Sequence, residues 1–459
     1  MAALTKIIVL DDDPTGSQTV HSCLLLTRWD APTLQAALRD DAPLFFVLTN
    51  TRGMDAVRAA EVTREVCRNL KLALADLAAA GQVIQPLFVS RSDSTLRGHY
   101  PVETDVMAEE LGNSVGGFDA HFLTPAFFEG GRITVDSVHY LMVDGQPVPT
   151  AETEFARDSV FGYRTSYLPE YVAEKTRGRI PASAVQRFVL DEVRAGVGPR
   201  LMALTGNTCC VVDAETQGDL NRFAADVLAA VAAGKRFLFR SAASLLTALA
   251  HLPPQPVPAE AMSRWVKGGR PGAVLVGSHV GKTTRQLEAL LAAPNAVGVE
   301  VNVDALRAER ITAERAGLLE SVLAEVRRLH ARGATPVIYT SRGERTFSDD
   351  ATRLAFGEAV SAFLMDVVRG LPRTLGWLIS KGGITSNDTL SSGLALAAAR
   401  VLGQILPGVS VVRCPADHPA FPDMPVVIFP GNVGGDDALR IAFERLAQLE
   451  EPALQAKAA

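Results

Sequence analysis

Between residues 9 and 20 the chain reads VLDDDPTGSQTV, three consecutive acids after an apolar run. Such neighbours repel, so a purely structural role for all three is costly unless cations or hydroxyl donors stand near. Asp12 or Asp13 suits a general base on a substrate hydroxyl, or a Mg²⁺ ion held through water. Pro14-Thr15-Gly16 is a turn signal that one acid would cap. A second cluster, SRSDSTLRGHY (90–100), gathers Arg91, Asp93, Ser94, Thr95 and Arg97 within a few residues. Two guanidinium groups, two hydroxyls and an acid make a dense set for a small polyhydroxy carboxylate. The bland alternative is a solvated helix start capped by Asp93. Arg52, in TNTRG (49–53), is a further carboxylate candidate.

The last 190 or so residues carry a different chemistry. AVLVGSHVGKTT (273–284), WLISKGGITSNDT (377–389) and VVIFPGNVGGDDA (426–438) each run an apolar strand into a glycine loop that opens a helix. Glycine lets backbone approach a ligand closely, and the unpaired N–H groups of a helix start favour an anion. One such loop is better explained as a turn, whereas three lining one sheet edge point to an anion or nucleotide. GSHVGKT (277–283) is one residue short of a Walker A loop, G-x-x-x-x-G-K-[ST]. The phosphate grip is therefore expected from Ser278, Gly382, Gly383, Thr385 and Gly431 more than from Lys282. Asp436 and Asp437 read as acids at a helix start.

These residues need elements to hold them. KIIVLDD (6–12), PLFFVLTN (43–50) and PLFVSRSD (86–93) read as strands, with a helix between 61 and 80 that Gly81 stops. CCVVDAE (209–215) and KRFLFRS (235–241) continue the alternation around a helix near 219–233. Later come a helix over 313–332, the strand TPVIYTS (335–341) and an alanine-rich helical stretch near 392–402. Residues 130–180 read as loops or an insertion with hairpins. Strand–helix alternation implies parallel sheets whose ligands gather beyond the strands' carboxyl ends. The expected fold is α/β with two domains, each a mostly parallel Rossmann-like sheet flanked by helices. HLPPQPVPAE (251–260), with four prolines, marks the boundary. The expected domains are 1–250 and 271–450, joined by a proline-rich linker over 251–270, with a frayed tail.

Composition narrows the class. A net charge of −6 argues against a general nucleic-acid binder. No stretch reads as a membrane span or a secretory signal, because MAALTKIIVLDDD is already the first strand. Five scattered cysteines, without a C-x-x-C pair, read as reduced thiols in a cytoplasmic protein. His99, His121 and His139 lack paired spacing and read as ordinary polar residues rather than metal ligands.

Taken in order, Asp12-Asp13-Pro14-Thr15-Gly16, Asp93-Ser94-Thr95-Leu96-Arg97-Gly98, Gly277-Ser278, Gly382-Gly383-Ile384-Thr385 and Gly431-Asn432-Val433-Gly434 resemble the motifs of the four-carbon acid sugar kinase family. The segment TPAFFEGGRITVDSVHYLMVDGQPV (124–148) also resembles the family's connecting region. The resemblance implies an ATP-dependent kinase that uses a divalent cation such as Mg²⁺ and phosphorylates threonate, erythronate or 3-oxo-tetronate. It implies that the N-terminal domain binds the acid sugar and the C-terminal domain ATP, with chemistry in the cleft between them. Carried across, Asp12 orients or deprotonates the attacking hydroxyl. Asp13, Arg52, Arg91, Asp93, Ser94 and Arg97 bind substrate, and Ser278, Gly382, Gly383, Ile384, Thr385, Gly431 and Gly434 contact the nucleotide. No metal ligand is assigned, and the expected partners are the two small molecules and a second copy in a homodimer.

Two departures fall on the acid-sugar side. The family's first motif usually begins A-D-D, whereas this chain has Asp11-Asp12-Asp13, with Pro14 following. A lysine often stands two residues before D-S-T-L-R-G, and here that residue is Arg91. Two other readings stay open. A NAD-dependent hydroxy-acid dehydrogenase would need G-x-G-x-x-G after a strand, and no clean copy is present. A noncatalytic sensor of sugar acid and nucleotide would bind both without releasing ADP.

Overall fold

The computed structural model describes residues 4–278, 280–306, 312–343, 345, 347, 349–431 and 433–447. Asn432 and the tail therefore lie outside the described residues. The chain divides into two compact units, Met1–Pro254 and Gln255–Ala459.

The N-terminal unit holds β1 (Leu4–Asp11), β2 (Leu24–Leu26), β3 (Leu44–Leu48), β4 (Ile84–Arg91) and β5 (Ala120–Thr124). A small insertion adds β6 (Arg132–Val135), β7 (Val138–Val143) and β8 (Gln146–Pro149), after which β9 (Gln186–Phe188), β10 (Thr208–Val212) and β11 (Phe237–Ser241) return to the main sheet. The main sheet runs β2-β3-β1-β4-β11-β5-β10-β9 with parallel pairings throughout. The insertion is an antiparallel meander, β6-β7-β8, in the region expected to hold loops and hairpins. Parallel strands are covered on both faces, which is why β3 and β11 are continuous apolar or buried runs. The helix Ala56–Ala79 buries Val62, Val66, Leu70 and Leu77, is capped by Asp55, and ends before Gly81 at φ +81°. At the core Phe122 meets the rings of Phe188, Phe223, Phe237 and Phe239.

The C-terminal unit contains β12 (Ala273–Val276), β13 (Ala296–Val301), β14 (Thr335–Thr340), β15 (Leu378–Lys381), β16 (Ala398–Leu406), β17 (Val409–Arg413) and β18 (Pro425–Phe429). Strands β13-β14-β12-β15-β18 are parallel, while β17 and β16 add an antiparallel edge. The helical expectation for 392–402 is overturned. A π-helical turn spans Thr389–Gly393 and the chain then enters β16. Alanine favours helix, but ladder pairing with β17 and burial of Val401, Leu402 and Ile405 override that weak preference. In the proline-rich segment, Gln255 exchanges side-chain hydrogen bonds with the backbone of Gln404 in β16, and Met262 and Val266 enter the core.

Each parallel sheet reverses direction beside its first strand. After β1 the chain builds β2 and β3 on one side, then crosses to β4 on the other; after β12 it builds β13 and β14, then crosses to β15. The crevice at such a reversal, beyond the carboxyl ends, is where open α/β sheets bind ligands. Among the described residues no helix is long and apolar enough to cross a membrane.

Candidate functional site

At the β1/β4 reversal the parallel register sets Asp11 opposite Arg91, and Asp12 and Asp13 follow directly. Arg52, just beyond β3, reaches across to Asp12 with Nη2 2.5 Å from Oδ1 and Nε 3.2 Å from Oδ2. It also contacts Asp13 at 3.4 Å and Asp93 at 3.9 Å. Burial opposes its charge, yet Asp12, Asp13 and Asp93 hold the guanidinium well above its ordinary value. Asp12 is 1 % exposed and accepts a third bond, to Oδ2, from Ser92 Oγ at 2.6 Å. Asp13 accepts from Thr15 N at 2.8 Å, so it is the turn-capping acid of the triplet. Burial works against the charge of Asp13, but Arg52 and Arg91 keep its carboxyl below the usual range.

Asp11 is fully buried. Its Oδ1 accepts from Arg91 Nη1 at 3.2 Å, while Asp11 Oδ2 and Arg91 Nε have no hydrogen-bond partner among the described residues. Burial pushes its carboxyl up to about 7, against the pull of Arg91 and with the repulsion of Asp12 and Asp13. Gly16 is required here, since a Cβ would fall 1.9 Å from Asp11 Oδ2.

The 92–101 stretch is a loop, not a helix start; the next helix begins at Val102. Asp93 binds Arg97 Nε at 2.7 Å and the Thr95 hydroxyl. Burial opposes its charge, but Arg52 and Arg97 hold its carboxyl far below the usual range. Ser94 is buried and gives its carbonyl to His139 Nε2 at 2.7 Å, while Tyr163 and Tyr171 donate to the Thr95 and Leu96 carbonyls, each at 2.8 Å. Burial lowers the His139 imidazole to about 4, which suits a brace that stays neutral. His99 bonds the Thr51 and Met54 carbonyls, and His121 bonds Asn207.

Several contributors escaped sequence reasoning. Arg240 of β11 donates to Ser90 and Ser92, each at 2.7 Å, and to Glu103 at 2.5 Å. Gly98, at φ +121°, leaves room for this network, because a Cβ would sit 2.5 Å from Ser92 Oγ. Arg132 of β6 has a buried Nε without a hydrogen-bond partner among the described residues. Burial lowers its guanidinium from the ordinary value, with Asp93 and Arg97 as charged neighbours. A basic residue in a segment that reads as insertion was the only available signal. A small cavity lies among Ser92, Asp93, Arg97, Tyr171, Arg240 and Ser241.

The three glycine loops of the C-terminal unit leave three adjacent parallel strands, β12, β15 and β18, and they meet. A Cβ on Gly277 would lie 2.1 Å from Thr385 Oγ1, and one on Gly382 would lie 3.2 Å from Ser278 Cβ. Gly431 approaches Ser278 Oγ to 3.7 Å by the same measure, and Thr283 Oγ1 bonds both Ser278 Oγ (3.3 Å) and Gly431 O (3.1 Å). Gly382 has φ +118°, and its carbonyl opens the short helix Gly383–Asp388, on which Ile384 is exposed. Gly434, at φ +81°, shapes the turn into the helix Ala438–Ala447 beside Ala438 and Gln286. Asp436 pairs with Arg285 at 3.0 Å. One residue that the sequence reading passed over, Lys381, sits buried behind these loops.

Two family profiles match the chain: one described as a sugar-binding N-terminal domain over residues 7–249, the other as a nucleotide-binding C-terminal domain over 273–439. The chain belongs to the four-carbon acid sugar kinase family. It is 25% identical over 457 residues to D-erythronate kinase of Heliobacterium modesticaldum, covering 95% of both chains. The fold is shared with a putative tRNA synthase of Salmonella typhimurium LT2 (TM-score 0.69, 19% identity, 96% of this chain and 98% of that one). It is shared too with Haemophilus influenzae protein HI1011 (TM-score 0.63, 18% identity, 96% and 100%).

Proposed function

We propose that the protein transfers the γ-phosphoryl group of ATP to a hydroxyl of a four-carbon sugar acid of the threonate, erythronate or 3-oxo-tetronate type. The observation that carries this reading is the meeting of three glycine loops around Ser278 in one unit, with a guanidinium-rich acid cluster in the other. Phosphoryl transfer asks a protein mainly for positioning and charge neutralisation. The hydroxyl oxygen attacks the γ-phosphorus while its proton passes to the Asp12 carboxylate, the bond from that phosphorus to the β-bridging oxygen breaks, and ADP leaves.

In this reading the substrate carboxylate is taken by Arg97 and Arg132, which share one neighbourhood with Asp93. Asp12 orients the attacking hydroxyl through Oδ1, which keeps a lone pair beyond its bond to Arg52 Nη2, whereas Oδ2 is taken by Arg52 Nε and Ser92 Oγ. Arg52 fixes Asp12, Asp13 and Asp93 as one unit. The ATP phosphates lie against the Ser278, Gly382–Thr385 and Gly431 backbone. Among the described residues no three His, Cys, Asp or Glu side chains gather as a metal site, so a magnesium ion is given no ligand here and no step.

A coupled ADP-release screen over four-carbon sugar acids with ATP and Mg²⁺ tests the reading. One or more acids should drive release, and Asp12→Asn should lower kcat by ~100-fold or more while ATP still binds. Binding of acid and nucleotide without ADP release from any tetronate would leave a sensor instead. Near-normal turnover of the Asp12→Asn protein would remove Asp12 from the reaction.

A further inference from the structure

The two reversal points are built alike. In the N-terminal unit Asp11 of β1 pairs in register with Arg91 of β4, and Asp12 N donates to Arg91 O at 3.3 Å. In the C-terminal unit Val276 of β12 pairs in register with Lys381 of β15, and Gly277 N donates to Lys381 O at 3.3 Å. Each crossover strand thus ends on a buried cation. Arg91 meets an acid of its own chain at 3.2 Å, whereas Lys381 meets a valine where that acid would stand.

Lys381 is 0 % exposed. Its amine donates to the Pro430 carbonyl and to Gly431 O at 3.2 Å, and it stands 4.2 Å from the centroid of the Phe429 ring. Among the described residues no carboxylate pairs with it. From β18 it meets the Phe429 ring, and from the loop that follows it meets, among the described residues, the Pro430 and Gly431 carbonyls. From the helix Gly281–Leu291 the charge acting on it is Lys282, of the same sign. Asp388, at the far end of the helix Gly383–Asp388, bonds Ser361 and Asn387 instead. Burial, reinforced by Lys282, brings the amine down to about 7. A buried ammonium without a counter-charge is strongly disfavoured unless an anion arrives.

We propose that Lys381 is the cation of the nucleotide cradle, left without a protein counter-ion because the ligand's polyphosphate supplies it, and that it takes up a proton when nucleotide binds. This rests on the reading of the C-terminal unit as the nucleotide site. Lys381 is a positioning residue: it holds the Gly431 carbonyl that also receives Thr283, and so sets the loop facing Ser278. The sign follows from linkage. A bound polyanion raises the amine's proton affinity, so uptake is largest above the free group's midpoint and affinity falls as pH rises beyond it.

The test is calorimetry of ADP binding to the full chain at pH 8 in two buffers of different ionisation enthalpy, repeated from pH 7.5 to 9. The expected result is uptake of about one proton and an affinity that weakens up to ~10-fold per pH unit. Lys381→Met should abolish the uptake and flatten the profile, and Lys381→Arg should flatten it while keeping affinity. A merely structural lysine would leave Lys381→Met equally weakened at every pH. Binding of ADP to the native protein without proton uptake overturns the proposal, whatever the variants do. Absence of ADP binding at millimolar concentration removes the nucleotide reading, and the proposal falls with it.

Discussion

The cation at one reversal point is neutralised by its own chain, and the cation at the other is not. Around Arg91 the N-terminal unit gathers Asp11, Asp12 and Asp13, with Arg52, Asp93 and Arg97 beyond, so each of these groups has an oppositely charged partner within the protein. Around Lys381 the C-terminal unit offers carbonyls, glycine and a valine. The positions that follow the register pairs show the same contrast: Asp12 projects a carboxylate where Gly277 has no side chain. A charged side-chain network suits discrimination among small hydroxy acids, because each polar group left unpaired by a wrong ligand is costly. A backbone cradle suits phosphate, whose oxygens need N–H donors at close approach.

The contrast can be broken from either side. Arg52→Ala should be most damaging, leaving Asp12, Asp13 and Asp93 without their common cation. Activity should fall by ~1,000-fold or more, with a loss of about 3 kcal/mol in denaturant unfolding, and Arg52→Lys should not restore the bidentate grip. Rescue by the lysine variant would show that charge alone suffices. On the other side, Gly277→Ala puts a methyl group 2.1 Å from Thr385 Oγ1. Nucleotide affinity should weaken by ~10-fold, with acid binding unchanged by calorimetry. An equal loss for both ligands would argue that the two regions do not act separately.

The smallest effect sharpens the comparison through pH. The folded-state midpoint of Asp11, about 7, lies above its value in the unfolded chain. The native state therefore holds the extra proton between about pH 4 and 7, and stability falls as pH rises through that window, then levels off. Asp11→Asn should remove this slope from the stability profile measured by denaturant unfolding between about pH 4 and 7. An unchanged slope would place the titration elsewhere.

Much of this was legible without coordinates. The acid triplet, Arg52, the Asp93–Arg97 string and the three glycine loops stand at strand ends because strand–helix alternation carries its own punctuation. The network around them was not. Arg240 lies 137 residues from Glu103 and 148 from Ser92, and nothing local ties them together. His139, Tyr163 and Tyr171, which hold the 94–96 carbonyls, come from the region read as insertion. The 392–402 stretch was misread because alanine content speaks for helix until a partner strand is known.

By itself the sequence determined the inventory: which strand ends carry acids, which carry glycine, and that two α/β units of different character share one chain. Only the tertiary structure decided which residues face each other across the two reversal points. Asp11 opposite Arg91 and Val276 opposite Lys381 are matters of parallel register, set by packing of whole sheets over about 80 to 105 residues of intervening chain. Through that register one buried cation is neutral with its surroundings and the other is left waiting for an anion.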